Sequence, residues 1–215
     1  MRFNLVDIKH VFWDWNGTLV DDVQLTVEIM NKILSSQNLN IISIEKHKEI
    51  FDFPIEVYKK YLGFVADSKL TSSAESFFYE EYYKNFQQCD LQSDSEKLLD
   101  FFLDNKIGQS IISLLPQNIL NEMVDFYKLE NYFHGVIGQS NFNTQNKVES
   151  ARNYFEKFDY NPIEILVIGD TTYDFEVAKT FGFHCALVSK GHQSHERLKQ
   201  SGALVFNSLS EVLSY

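Results

Sequence analysis

The stretch Val11-Phe12-Trp13-Asp14-Trp15-Asn16-Gly17-Thr18-Leu19, with His10 in front of it, decides how the rest of the chain is read. A short apolar run that stops abruptly at Asp-Trp-Asn-Gly-Thr predicts a buried strand feeding a tight loop. A buried strand needs neighbours, and roughly the next 70 residues offer none. From about Asp21 to Phe86 the pattern is helical instead. Val23, Val27, Met30 and Leu34 recur at helical spacing, with Asp21 or Asp22 placed to cap the first turn. Ser72 with Glu75 has the form of a capping box opening a helix that carries Phe78, Tyr79, Tyr82 and Phe86. An aromatic stripe at that spacing reads first as helical core, with a substrate-contacting surface as the alternative.

A second capping-box pattern, Ser93 with Glu96, precedes a helix holding Leu98, Leu99 and Phe102. Strands and helices then alternate. Strands are expected at Ile111-Ile112, Val136-Ile137, Ile163 to Ile168, Ala186-Leu187-Val188 and Ala203 to Phe206. Helices are expected at Ile119 to Tyr127, Lys147 to Phe158 and about Tyr173 to Phe181. Alternation of this kind predicts an α/β fold, a Rossmann-like doubly wound parallel sheet with helices on both faces. The first strand must join the later ones, so the helical block is an insertion. The expected division is a core domain of residues 1–19 and 92–215 and a helical cap domain of residues 20–91.

The chain has 215 residues, 44% apolar and 23% charged, which fits one domain or two small ones and excludes a disordered or fibrous protein. Its 19 basic and 30 acidic residues give a net charge of −11. A field of that sign disfavours non-specific binding to nucleic acid or an anionic membrane. An anionic ligand therefore needs local positive charge or a metal. Cys89 and Cys185 are too few for a disulfide framework and read as buried thiols in a reducing compartment. No apolar run approaches the ~18 residues of a membrane span, and no signal peptide is visible, so the expectation is a cytoplasmic protein.

In an open parallel sheet, ligands bind at the carboxyl ends of the strands. Three polar clusters fall where strands are expected to end: Asp14 with Asn16, Ser113, and Asp170 with Asp174. Lys147 opens a helix near the same edge. Carboxylates gathered on one rim repel unless a cation joins them, and hard oxygen donors suit Mg²⁺, which commonly also binds substrate phosphate. A lysine and a hydroxyl supply what the other phosphate oxygens need. The residues point to metal-assisted phosphoryl chemistry, with an aspartate as candidate nucleophile.

The order of these residues, from Val11 to Leu19, then Ser113, Lys147 and Gly169-Asp170-Thr171-Thr172-Tyr173-Asp174, resembles the haloacid-dehalogenase-like hydrolase superfamily. It looks most like the phosphoglycolate-phosphatase type with a helical cap. The resemblance implies a phosphatase acting on a small phosphorylated molecule, in which Asp14 attacks phosphorus and forms an aspartyl-phosphate. It implies Mg²⁺ held by Asp14, the backbone carbonyl at Asn16 and Asp170, with Asp174 directly or through water. Ser113 and Lys147 would hold phosphate oxygens, Gly17 would let the loop backbone approach, and Thr18 stands in the same loop. The cap would close over the site and choose the substrate, through residues such as Tyr61 to Phe64. The protein would be a monomer or homodimer.

One position departs from that pattern. The family's phosphatases carry a second aspartate two residues after the nucleophile, as acid for the leaving group and then base for water, and here that position is Asn16. An amide exchanges no proton near neutral pH, a loss typically worth ~10² to 10⁴ in rate. Slow turnover with a long-lived phosphorylated Asp14 follows, with Asp21 or Asp22 as a remote substitute acting through water. Phosphonate cleavage through a cap lysine, dehalogenation, and phosphate-ligand binding without turnover are the alternatives on the same scaffold. Leu114 also departs from the small or polar residue common after the serine. His192 and His195 read as a solvated helix start, and Lys59 and Lys60 as cap surface, with one of the two lysines reaching the substrate as the alternative.

Overall fold

The computed structural model describes residues 3–64, 69–139 and 146–215. Its six strands are β1 (His10–Trp13), β2 (Gly108–Pro116), β3 (Gly135–Gln139), β4 (Ile165–Gly169), β5 (His184–Val188) and β6 (Leu204–Phe206). They form one sheet in the order β3-β2-β1-β4-β5-β6, and every adjacent pair is parallel. Both β1 and β4 are buried at every position, as strands covered on two faces must be. Side chains alternate between the two layers. Val11 and Trp13 pack with Leu98, Phe102 and Met123, while Phe12 faces Val167, Val177 and Leu187 on the other side.

Trp13 lies level with Ile111 of β2 and Ile168 of β4. The chain winds outward through β2 and β3, then returns to the opposite side of β1 for β4. That reversal opens a crevice beyond the carboxyl ends of β1 and β4, the place where such sheets bind ligands.

Among the described residues, the insertion between β1 and β2 carries four helices ahead of a core helix at Ser95–Asp104: α1 (Val23–Ser36), α2 (Ile44–Ile50), α3 (Ile55–Tyr61) and α4 (Lys69–Asn85). The first three share a small apolar cluster of their own, Leu34, Ile50, Tyr58 and Leu62, whereas Tyr82 of α4 packs into the main core. The chain leaves and re-enters at a bridge between Val20 and Leu91. The remaining helices are α5 (Ser95–Asp104), α6 (Gln117–Phe126), α7 (Lys147–Phe155), α8 (Thr172–Phe181), α9 (His195–Gln200) and α10 (Leu209–Leu213).

Several local expectations are corrected. The helix expected to open at Ser72 already runs from Lys69, so Ser72 lies within the helix and not at its start. Ser93 does not cap α5. Asp94 occupies that position in a left-handed conformation without a side-chain cap, and Ser95 Oγ turns to the Leu19 carbonyl instead. Asp22 precedes α1 but makes no capping bond, because its carboxylate faces the crevice. The strand expected from Ile163 starts at Ile165, after a short 3₁₀ turn opened by Pro162. Ser113 does not end its strand: β2 runs on to Pro116 through a register shift between Ile112 and Pro116.

Candidate active site

Asp14 leaves β1 with its N–H donated to the Ile168 carbonyl at 2.9 Å, which ties the loop to β4. Asp170 directly follows β4, and Asp174 sits in the first turn of α8. Asp174 Oδ2 accepts from Thr171 N at 3.1 Å and Thr171 Oγ1 at 2.7 Å, a capping box that fixes its direction. Carboxylate oxygens of Asp14, Asp170 and Asp174 lie within 4.8 Å of one another. Lys147, the first residue of α7, completes the group: its Nζ is 2.6 Å from Asp14 Oδ1 and 2.5 Å from Asp174 Oδ1. Thr18 Oγ1 donates to Asp170 Oδ1 at 3.2 Å, and the His192 N–H donates to Asp170 Oδ2 at 2.5 Å.

Gly17 has φ +73°, and a Cβ there would stand 2.7 Å from His192 Cδ2 and 2.9 Å from Asp170 Cγ. Both the left-handed backbone and the close approach demand glycine.

One ammonium against three carboxylates leaves two negative charges in a buried place. Burial pushes the Asp14 carboxyl well up; Lys147 opposes that shift, and Asp174 and Asp170 add to it. Burial likewise raises Asp170. For Lys147, burial works against the ammonium, but Asp14 and Asp174 outweigh it and hold the group above its usual range. Three hard oxygen donors with that charge deficit fit a divalent cation.

Beside this group lies a second network. Asn16 Nδ2 donates to Asp22 Oδ2 at 2.6 Å and to Tyr82 Oη at 2.7 Å, and Tyr82 Oη donates to Asp22 Oδ2 at 2.8 Å. The Gly17 N–H donates to Asp22 Oδ1 at 2.8 Å. His192 Nε2 lies 3.2 Å from Asp22 Oδ1, its Nδ1 lies 3.0 Å from His47 Nε2, and His47 Nδ1 lies 2.7 Å from Tyr58 Oη. Burial raises the Asp22 carboxyl, but His192 and the bonds from Asn16 and Tyr82 outweigh it and hold it low. Burial lowers His192, and Asp22 and Asp170 outweigh that in turn. The result is a buried histidine–carboxylate pair that spans the sheet and the inserted helices.

His192 is therefore not a solvated residue. It is 4% exposed, covered by His47 and Phe51 of the insertion, whereas His195 opens α9 as expected. Tyr82 is the other participant that the sequence conceals, since it looks like helical core. Asp22, expected as a helix cap or as a remote substitute acting through water, is bonded to Asn16, Gly17 and Tyr82 instead of capping α1. Lys59 is not surface either: it lines the cavity and pairs with Glu75, while Lys60 is exposed.

The crevice and the insertion enclose a cavity of about 180 Å³. Asp14, Asn16, Ser113, Lys147 and Asp170 all reach it, and so do Asp22 and His192. Ser113 is buried, its Oγ accepting from Leu115 N at 3.1 Å. Leu114 faces the same space. Of the segment Tyr61 to Phe64, Phe64 lines the cavity, but Tyr61 points outward and is 66% exposed. Cys89 and Cys185 are free and buried, as expected. No helix among the described residues is long and apolar enough to cross a membrane.

The chain is similar to phosphoglycolate phosphatase 1 of Pseudomonas aeruginosa, 24% identical over 212 residues that cover 94% of this chain and 78% of that one. Its fold matches a haloacid dehalogenase-like hydrolase from Streptococcus pneumoniae with TM-score 0.76 at 18% identity, covering 97% of this chain and 98% of the other. Protein tyrosine kinase A of Mycobacterium tuberculosis shares the fold as well, with TM-score 0.80 at 15% identity over 96% and 97% of the two chains. Fold likeness at such identity speaks for architecture alone. Residues 11–188 match the family model of haloacid dehalogenase-like hydrolases, and with Asp14 and Asp170 at the ends of β1 and β4 the chain belongs to that family.

Proposed function

We propose that this protein is a phosphoric monoester hydrolase acting on a small phosphorylated molecule, with Asp14 as nucleophile. The observation that carries the reading is Lys147 Nζ seated 2.6 Å from Asp14 Oδ1 and 2.5 Å from Asp174 Oδ1, at the rim of a three-carboxylate cluster. That lysine orients the Asp14 carboxylate and is placed to meet phosphoryl oxygens as charge shifts onto them. Ser113 lines the same floor as a second partner for the phosphoryl group.

Asp14, the Asn16 carbonyl and Asp170 would hold Mg²⁺, with Asp174 direct or through water. Bound there, the ion would supply charge stabilisation for the transferring phosphoryl group. Asp14 attacks phosphorus, the ester oxygen departs with the bonding electrons, and water then releases phosphate from the aspartyl-phosphate. The inserted helices, residues 20–91, act as a cap that excludes water and selects the leaving group. Gly17 and Thr18 belong to the loop that holds this arrangement: Gly17 lets the backbone approach, and Thr18 orients Asp170.

Asn16 contributes its carbonyl but no transferable proton. Turnover of esters with poor leaving groups is accordingly reduced by ~10² to 10⁴. Lys59 Nζ is held against the Glu75 carboxylate, which speaks against a phosphonate chemistry that needs this nitrogen free to form an imine. Phosphate release from a panel of monoesters, with and without Mg²⁺, tests the proposal. Release should need the metal and fall to background in Asp14→Asn and by ~10² or more in Lys147→Met; release that both variants sustain refutes it.

A further inference from the structure

The wall of the cavity opposite Asp14 is built by the insertion. Met30 and Ile33 of α1, Phe53 between α2 and α3, Phe64, and Phe78 of α4 close over the floor. Among the described residues the inserted helices bring one cation to this space, Lys59, and it is neutralised by Glu75 beside it. A leaving group carrying a carboxylate would thus enter aromatic and aliphatic walls that, among the described residues of the insertion, offer no free positive partner. It would also meet Asp22, already committed to Gly17 N, Asn16 and Tyr82. Desolvating an anion without a partner is strongly unfavourable. An uncharged apolar group suits the same walls, and apolar cavities of roughly 150 Å³ take a benzene ring.

A second, independent feature narrows the class. The side chain two residues past Asp14 is an amide, so no proton is delivered to the departing oxygen from that position. An alkyl alcohol, with acidity near that of water (pKa about 15.7), leaves poorly under those conditions. A phenol, with pKa about 10 as in tyrosine, leaves as the phenolate.

We infer that the preferred substrates are small aryl phosphate monoesters with an uncharged ring, rather than phosphorylated carboxylic acids. The inference rests on the phosphatase reading above. An Asp14 carboxylate oxygen forms the new bond to phosphorus, and the aryl oxygen–phosphorus bond breaks with both electrons going to the phenolate. The phenolate takes a proton from solvent. One water then cleaves the aspartyl-phosphate, giving inorganic phosphate and a proton and restoring Asp14. The ring would lie against Phe53 and Phe78.

The test compares kcat/KM for phenyl phosphate, cyclohexyl phosphate and phosphoglycolate with Mg²⁺ present. Phenyl phosphate should exceed each of the others by about 100-fold. Cyclohexyl phosphate separates ring shape from leaving-group acidity. Glu75→Gln, which frees Lys59, should shift the phosphoglycolate-to-phenyl-phosphate ratio about 10-fold towards the acid, the effect of one newly available charge. Binding to Asp14→Asn, read by calorimetry, should favour phenyl phosphate over phosphoglycolate. Phosphoglycolate equal or preferred in turnover, with Asp14→Asn inactive, overturns the aryl preference and leaves the phosphatase reading standing. No release from any ester overturns that reading, and if phosphoglycolate also binds the variant as tightly, the aryl pocket falls with it.

Discussion

Asn16 Nδ2 lies 2.6 Å from Asp22 Oδ2, so an amide and a carboxylate six positions apart form a matched donor and acceptor in the floor of the cavity. Tyr82 closes the triangle from α4. The amide is thus more than a lost carboxylate: it is the partner that Asp22 requires.

Restoring an aspartate at this position alone should therefore do harm. Asn16→Asp sets two buried carboxylates against each other and should cost about 2–3 kcal/mol in urea denaturation. Exchanging the pair, Asn16→Asp with Asp22→Asn, rebuilds one donor and one acceptor. The exchange should recover at least half of that loss and raise turnover of alkyl phosphates by about 10²-fold. A single Asn16→Asp variant as stable as the native protein would show that the two side chains are not coupled.

The three-carboxylate group makes a prediction about metal. Without a cation, Asp14, Asp170 and Asp174 crowd together beside the Lys147 ammonium, so Asp170→Asn should raise the melting temperature of metal-free protein. Its amide oxygen still accepts from the His192 N–H, which now bonds Asp170 Oδ2. In the native protein, Mg²⁺ at 100 times its Kd should add about 2.7 kcal/mol, roughly 5–10 °C. That gain should vanish in Asp170→Asn. An equal metal-induced rise in both would place the ion elsewhere.

Two buried histidines set the acid limit of stability. His10, at the start of β1, is lowered to about 3 by burial and by neighbouring His134, and His47 is lowered to about 2 by burial and by His192. A histidine whose folded pKa is depressed leaves the unfolded chain binding more protons below about 6.5. Stability then falls as pH drops below that value, by about 1.4 kcal/mol per pH unit for each ring. Between pH 7 and pH 5, urea denaturation should show the native protein losing about 2 kcal/mol more than His10→Gln. Parallel losses would mean that His10 titrates normally in the folded state.

How much of this was legible from sequence follows from where each signal resides. Asp14 and Asp170 follow apolar strands, so the local pattern announces both the strand and the residue at its end. Lys147 opens a helix in the same alternation. The insertion shows in the change from strand-like to helical spacing after Thr18. His192 carries no such mark: its role arises because α2 lays His47 and Phe51 over a residue 145 positions from His47. Asp22 stands where a helix cap belongs, and only the approach of Tyr82 and His192 turns its carboxylate inward. Ser113 was placed at a strand end because periodicity cannot reveal the register shift that carries β2 on to Pro116.

In the proposed mechanism Asp14 is phosphorylated during turnover. Rapid quenching of the native protein with phenyl phosphate and Mg²⁺, followed by mass analysis of its peptides, reads this directly. One added phosphoryl group should be found on Asp14, removed by hydroxylamine and missing from Asp14→Asn. Ester hydrolysis that proceeds with Asp14 unmodified, or a phosphoryl group trapped on another residue, would contradict it.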